Sequence, residues 1–230
     1  MGGDIIFAVN LQVAVFFNNI VSRPDQLGNR MNAQMGNLFD AIPNTINLPP
    51  DVPDEIPLMQ MSSTTSGNRL NVSRGRIDLF TSADPLEQVN LNRFIEMQEA
   101  LVFSYFQALQ NEKVVCNRLG LILTAFEESA SAIEEIGKKY LTEISPQSSE
   151  LFLRMNIPYS LGNMGMNNII EITSGSLTND VLGLDKTGII YKRDINNIPV
   201  SDVTLTTKRL KEIWKSAQKF FSNKKMAEVV

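Results

Sequence analysis

Lysine side chains recur at intervals of three and four in the last predicted helix, which runs from a Thr204 cap to Phe221. Residues at these intervals lie on one face of a helix, so the lysines form a basic stripe beside its apolar face. Such a stripe can neutralise phosphates, and binding would then depend steeply on salt. The alternative is a solvated helix face that binds nothing. The stripe consists of Lys208, Lys211, Lys215 and Lys219.

Two arginines of one predicted strand form a second candidate contact. Arg74 and Arg76 are two residues apart and therefore point to the same face of a strand. A guanidinium group can hold a carboxylate or a phosphate by two hydrogen bonds. The alternative is pairing with Asp78 or with acidic residues of neighbouring strands.

The composition excludes the commonest catalytic groups. The chain has no histidine, which removes the most frequent general base and metal ligand. Its one cysteine, Cys116, lies in an apolar strand pattern and is predicted to be an inert core thiol. We therefore predict no catalytic, cofactor-binding or metal-binding residues and favour binding over catalysis. An enzyme with a carboxylate-bound metal is the alternative left open.

The net charge of −4 is unevenly distributed along the chain. From Thr204 to Val230 there are seven basic and two acidic residues, so residues 1 to 203 carry a net −9. Most of the protein would repel a polyanion, whereas the last helix could meet one.

The sequence also predicts where the protein resides. A single cysteine cannot form an intramolecular disulfide, so the cytoplasm is the expected compartment. The apolar run from Ile5 to Phe17 lacks a basic start and is interrupted by Asn10 and Gln12, so it is predicted to be mature structure. No other stretch approaches the roughly 18 apolar residues of a membrane span, and no membrane partner is expected.

Periodicity predicts the elements of the first half. A strand over residues 4–17 opens the chain, and Pro24 begins a short helix. Five prolines from Pro43 to Pro57 forbid helix and sheet pairing, so this stretch is predicted to be an extended surface loop. A hairpin and a long helix capped by Asp84 follow. They are expected at Leu58–Ser63, Leu70–Thr81 and Asp84–Gln110.

The second half repeats this order with one extra strand. A strand at Val114–Phe126 opens it, and a helix capped by Ser129 or Ser131 follows and ends at Pro146. Three strands and the last helix come next. They are expected at Leu151–Ile157, Met166–Thr173, Gly188–Arg193 and Thr204–Phe221.

These elements predict an α+β protein with antiparallel sheets packed on long helices. An offset of 110 residues aligns apolar positions of the two opening strands, which indicates an internal duplication. A β-α-β-β-α unit at residues 1–112 and a β-α-β-β-β-α unit at residues 113–230 would share one core. The order resembles the helix-grip and TATA-binding-protein-like folds, a likeness of topology that carries no function. The aligned pairs are Leu11 with Leu121, Val13 with Leu123, and Phe16 with Phe126.

Three short motifs carry a further resemblance. They are Ile56-Pro57, the segment from Leu70 to Asp78, and Asn117-Arg118-Leu119-Gly120-Leu121. With the order of elements, they resemble a sporadically distributed family of uncharacterised prokaryotic proteins. The resemblance implies an association with mobile elements or phage defence and supplies no catalytic residues.

Three functions follow as hypotheses. The first is a non-catalytic binding or adaptor subunit of a larger intracellular assembly, an antiphage system being one candidate, with a protein partner. The second is a nucleic-acid-binding protein that uses the lysine stripe together with Arg74 and Arg76. The third is the metal-dependent enzyme named above.

Overall fold

Ten strands of the chain join in one sheet, and the pairs are antiparallel throughout. The computed structural model describes residues 6–46, 49, 51–84, 86–141, 148–179, 183–199 and 204–228. The α+β class predicted from the sequence is confirmed. The strands are β1 (Phe7–Phe17), β2 (Asn44–Thr45), β3 (Met59–Ser62), β4 (Arg69–Val72), β5 (Arg76–Ser82), β6 (Cys116–Glu128), β7 (Phe152–Asn156), β8 (Tyr159–Leu161), β9 (Met164–Asn179) and β10 (Leu184–Asn197). The helices are α1 (Pro24–Gln34), α2 (Leu91–Asn111), α3 (Ala132–Tyr140), α4 (Thr207–Gln218) and α5 (Asn223–Met226).

The two strands that open the halves of the chain lie side by side at the centre of the sheet. The strand order is β2-β3-β4-β5-β1-β6-β10-β9-β7, and β8 pairs with β9. From the centre outward, β1-β5-β4-β3 and β6-β10-β9-β7 follow equivalent connections along the chain. The register pairs Gln12 with Ile122, which are 110 residues apart, as a two-fold relation between the halves requires. The duplication, its boundary at residue 112 and the two fold likenesses stay predictions.

Apolar residues of alternate positions bury one face of the central strands against the helices. In β1 these are Leu11, Val13 and Val15, each fully buried. Directly paired residues share a face, so Leu79 and Leu121 join Val13 on this side. The resulting core extends without interruption from α1 to α5. We call this side of the sheet the helix side.

Residues at the start of three helices satisfy the backbone of the first turn. Pro24 occupies the first turn of α1, where its missing N–H costs nothing. The side chain of Asn90 accepts a hydrogen bond from the backbone N–H of Asn92 and so caps α2. Thr206 caps α4 in the same way through the N–H of Arg209.

Several predicted boundaries are wrong. The expected strand Leu70–Thr81 breaks at Ser73–Gly75, where the Ser73 hydroxyl and N–H both bind the Arg76 carbonyl, so it forms β4 and β5. Asp84 does not cap α2: its carboxylate accepts from the N–H of Leu86 in a turn, and Pro85 lies outside the described residues. The last helix begins two residues after the expected Thr204 cap.

The predicted proline-rich loop contains one short ladder. Asn44 and Thr45, which lie in its proline-free stretch, pair with β3 as β2. The prediction that this whole stretch is unpaired is therefore wrong at its start. Farther along, residues 47, 48 and 50 lie outside the described residues.

Buried polar groups on the helix side are satisfied by the segment that follows α4. Arg193 is 2% exposed, and its guanidinium donates to the carbonyl oxygen of Glu228 at 2.7 Å. The Tyr140 hydroxyl donates to the carbonyl oxygen of Ala227 at 2.7 Å. Tyr191 donates to the Glu127 carboxylate at 2.5 Å. This segment therefore supplies backbone acceptors to Arg193 and Tyr140, whereas Nε of Arg193 has no partner among the described residues.

Among the described residues, no helix has the length and apolarity to cross a membrane.

The close approach of β6 and β10 at Gly188 gives a first prediction. A Cβ there would lie 2.1 Å from the Glu127 carbonyl oxygen and 2.7 Å from Cζ of Phe126. Backbone cannot yield without breaking the ladder, so Gly188→Ala should lower the free energy of unfolding by about 3 kcal/mol. Gly120→Ala is the matched control, because its Cβ would meet nothing nearer than 3.8 Å. Urea unfolding measures both variants, and equal losses would contradict the prediction.

Candidate functional site

The side of the sheet opposite the helices is formed by the remaining alternate positions of the strands. We call this surface the open face. Side chains of a strand alternate between faces, so Gln12, Ala14 and Phe16 lie here while their neighbours enter the core. None of the helices in the described part of the chain packs against this surface, because their buried residues all join the helix-side core. An antiparallel sheet with one solvated face is a common arrangement.

An aromatic ring between two arginines forms the first row across the open face. Phe16 of β1 pairs directly with Arg76 of β5 and with Arg118 of β6. The guanidinium carbons lie 4.7 Å and 5.0 Å from the centroid of the Phe16 ring. Cation–π attraction therefore fixes both arginine side chains over the sheet.

The second row places small residues at the centre with polar groups on either side. Ala14 and Gly120 pair at the middle, Asp78 lies beside Ala14, and Asn196 lies beside Gly120. The Asp78 carboxylate accepts from Arg76 at 2.7 Å and from Gln12 at 3.0 Å. The centre of the open face is thus a closely packed polar floor, in which Ala14, Asp78 and Asn196 are 1%, 5% and 1% exposed.

The third row mixes aromatic, amide and apolar side chains. It runs through Arg69, Phe80, Gln12, Ile122 and Asp194 on successive strands. The Arg69 guanidinium carbon lies 4.5 Å from the Phe80 ring centroid. Burial raises the pKa of Asp194, and a hydrogen bond from Asn196 and the charge of Arg118 oppose that rise.

A fourth row contains a three-membered ion cluster. The Glu171 carboxylate of β9 binds Arg154 of β7 at 3.1 Å and Lys192 of β10 at 3.1 Å. These contacts are partly exposed, so they contribute little to stability but neutralise the carboxylate.

The open face carries a positive balance in a negatively charged protein. Four acidic side chains lie there: Asp78, Glu128, Glu171 and Asp194. The chain as a whole has a net charge of −4. The surface therefore favours an anionic partner more than the rest of the molecule does. Its six basic side chains are Arg69, Arg76, Arg118, Arg154, Lys186 and Lys192.

The structure separates the site residues predicted from the sequence. Arg76 lies on the open face, whereas α4 with its lysine stripe lies on the helix side. Arg74 lies in the turn between β4 and β5, and its guanidinium is 3.9 Å from Asp54. Of the stripe, Lys211 lies 4.8 Å from the Phe103 ring centroid of α2, and the others point to solvent. The stripe residues and Arg76 therefore cannot form one contact surface. The solvent-facing members are Lys208, Lys215 and Lys219.

Sequence reasoning missed Arg118, Arg69 and the central pair Ala14 and Gly120. The alternation in β1 and β6 shows which positions share a face, but only the register between distant strands places Arg118 beside Phe16. The offset of 110 relates equivalent positions of the two halves, but it leaves open the antiparallel register that brings Arg118 beside Phe16.

Groups suited to catalysis do not converge in the described residues. No cluster of three or more acidic or cysteine side chains able to hold a metal occurs among them. A cavity of about 860 Å³ lies beside the start of α3, and seven of its fourteen lining residues are serine or threonine. Two of these are engaged locally: Ser129 accepts from the N–H of Ser131, whose hydroxyl donates to Glu135.

The buried carboxylate of the second row gives a prediction for stability. Asp78→Asn leaves the half-buried Arg76 guanidinium without its ion pair, so we expect the free energy of unfolding to fall by about 1–3 kcal/mol. Asp54→Asn is the control, because that carboxylate is 38% exposed and 3.9 Å from Arg74. Its loss should stay below about 0.5 kcal/mol. Urea titrations compare the two, and a larger loss for Asp54→Asn would contradict this account of the row.

The single thiol should be inert in the folded protein. Cys116 is 2% exposed, and burial raises its pKa to about 12. At about pH 8 we expect Ellman's reagent to react with the native protein only as fast as the protein opens, and at once in urea. The folded state holds this proton to a higher pH than the unfolded state, so this contribution to stability is complete below pH 9.0 and is lost as the pH rises toward 12. Rapid reaction of the native thiol would contradict the prediction.

Comparisons with known proteins assign no family to this arrangement. The chain matches no family, and no curated protein matches it either. The motifs that resemble a prokaryotic family lie in the turn and strands around Arg76 and at the start of β6, so they overlap the first row of the open face. The family resemblance stays a prediction.

Proposed function

We propose that this chain is a non-catalytic binding subunit of a larger intracellular assembly and that it holds its partner on the open face. One observation supports this proposal above the others. The broad face of a sheet with ten strands carries arginines ordered by aromatic rings, and no helix of the described chain covers it. Side chains held in place before binding lose less conformational freedom on association.

The rows supply the two components that a binding surface needs. Phe16, Phe80 and Ile122 give partly exposed apolar area, and the neighbouring arginines and amides give directional hydrogen bonds. Arginine and aromatic residues are enriched where partners bind. An antiphage role for the assembly extends the proposal through the family resemblance, and a cytoplasmic location extends it through the single cysteine, Cys116.

The α4 stripe is the competing surface on the other side of the molecule. Its solvent-facing lysines lie on long flexible stems and, apart from Lys211, have no ring to order them. Binding there would cost more side-chain entropy for each contact than binding to the ordered arginines of the open face.

Photo-crosslinking in living cells tests which side is used. A photoreactive amino acid replaces Lys192 on the open face in one variant and Lys215 on α4 in the other, both exposed lysines. We expect covalent adducts with a partner, whether protein or nucleic acid, from position 192 and few from position 215. The same protein without irradiation is the control. Adducts from position 215 alone would overturn the proposal and would favour the lysine stripe.

A further inference from the structure

We propose that the ligand of the open face is single-stranded nucleic acid. This inference rests on the proposed function, because it names the partner of the same surface. The observations that carry it are the charge of the face, the geometry of its arginines and the run of amide side chains across its centre.

The first observation is the state of two arginines. Arg69 and Arg118 form no ion pair and no side-chain hydrogen bond within the described chain, and their contacts are with the Phe80 and Phe16 rings. Of the acidic residues nearby, Asp78 binds Arg76, and Asp194 accepts a hydrogen bond from Asn196 while the charge of Arg118 also acts on it. Arg69 is exposed and Arg118 is partly exposed with its Nε buried, so phosphates can reach Arg69 fully and Arg118 in part on a face of positive balance.

The second observation is the orientation of these groups. A guanidinium held 4.5 Å from a ring centroid, as Arg69 is over Phe80, stays beside that ring instead of sampling solvent. Its outer side can then stack with a nucleobase while its N–H groups reach a phosphate. A lysine ammonium group offers only a point charge, so it cannot stack with a nucleobase and bind a phosphate at the same time.

The third observation is a line of amides that crosses the strands. Gln60, Asn71, Asn196 and Asn167 occupy one row, interrupted only by Asp78, Ala14 and Gly120. Asn71 and Asn196 are 9% and 1% exposed, so Gln60 and Asn167 are the amides of this row that a ligand can reach directly. Amides donate and accept hydrogen bonds, as base edges do. The Asn71 side-chain oxygen is buried and has no partner among the described residues.

A protein partner fits this surface less well. Stable protein interfaces have an apolar centre, yet the centre of the open face is the polar floor around Asp78. Of the large apolar residues exposed in the described chain, Phe152 alone lies on a strand, and that strand is at the sheet edge.

A duplex fits less well than a single strand. In a duplex the bases pair with each other, so a broad flat face would meet phosphates and leave the amide row unused. From β4 to β7 the face spans six strand spacings of about 4.8 Å, or about 29 Å. Sheet-based single-strand sites cover about 4–16 nucleotides, which is in keeping with this width.

Fluorescence anisotropy with labelled single-stranded DNA and RNA of mixed sequence, about 16 nucleotides long, tests the inference at low salt. The variant Arg69→Gln with Arg118→Gln should bind about tenfold more weakly than the parent, since two phosphate or stacking contacts are lost. Neither arginine has an ion pair to lose, so urea unfolding should show only the small loss of two cation–π contacts. The matched control, Lys208→Gln with Lys215→Gln, removes the same charge from α4 and should bind as the parent does.

Three results would overturn the inference: no binding by the parent, an equal loss in the α4 variant, or equal affinity for a duplex of the same sequence. The proposed function is tested by a different experiment, the photo-crosslinking described above. Protein adducts from position 192 without oligonucleotide binding would keep the open face as the docking surface and reject nucleic acid as its ligand.

Discussion

The antiparallel ladder between β1 and β6 is the contact on which the remaining structure depends. Each strand is the inner edge of its own half of the sheet, and pairing them joins the halves. The same ladder sets Val13 against Leu121 on the helix side and Ala14 against Gly120 on the open face. A slip by one residue would turn every side chain of one half to the wrong face, so burial of the core fixes this register strongly.

The side chains on the two faces of the β1–β6 ladder have different roles. On the helix side, Leu11, Val13 and Val15 are removed from water, and burial of such side chains supplies most of the stabilising free energy. On the open face, alternate positions are free to carry arginines, amides and rings. The stability of the sheet therefore depends mainly on the helix side, and most positions of the open face can be specialised for binding.

Much of the fold follows from local sequence. Three elements are predicted by their own residues alone. Alternation predicts the strands β1 and β6, a proline predicts the start of α1, and apolar spacing predicts α2. The start of α2 differs from its prediction because Asp84 and Asn90 can each cap a helical turn. Asn90 is the cap in the structure, because the helix that packs on the sheet begins after it. Strand ends are similarly decided by partners, as in β9 and β10, which pair with each other well beyond their predicted limits.

The candidate site was far less predictable than the fold. Lys208 and its neighbours stand out because their spacing is visible within one helix, whereas the row of Arg76, Phe16 and Arg118 is assembled from strands separated by many residues. Register between distant strands is a tertiary property. Sequence analysis identified Arg76 as a candidate but not Phe16 or Arg118. It also grouped Arg76 with the lysines of α4, which lies on the opposite side of the sheet.

The central position of β1 also constrains the order in which the chain can fold on the ribosome. Its partner β5 follows within the first half, but its other edge stays unpaired until β6 has been made, at synthesis rates of about 5–20 residues per second. For some seconds a long, apolar strand edge is therefore open to pairing with other nascent chains. Placing β1 in the middle of the sheet therefore leaves one of its edges exposed to intermolecular pairing until β6 has been made.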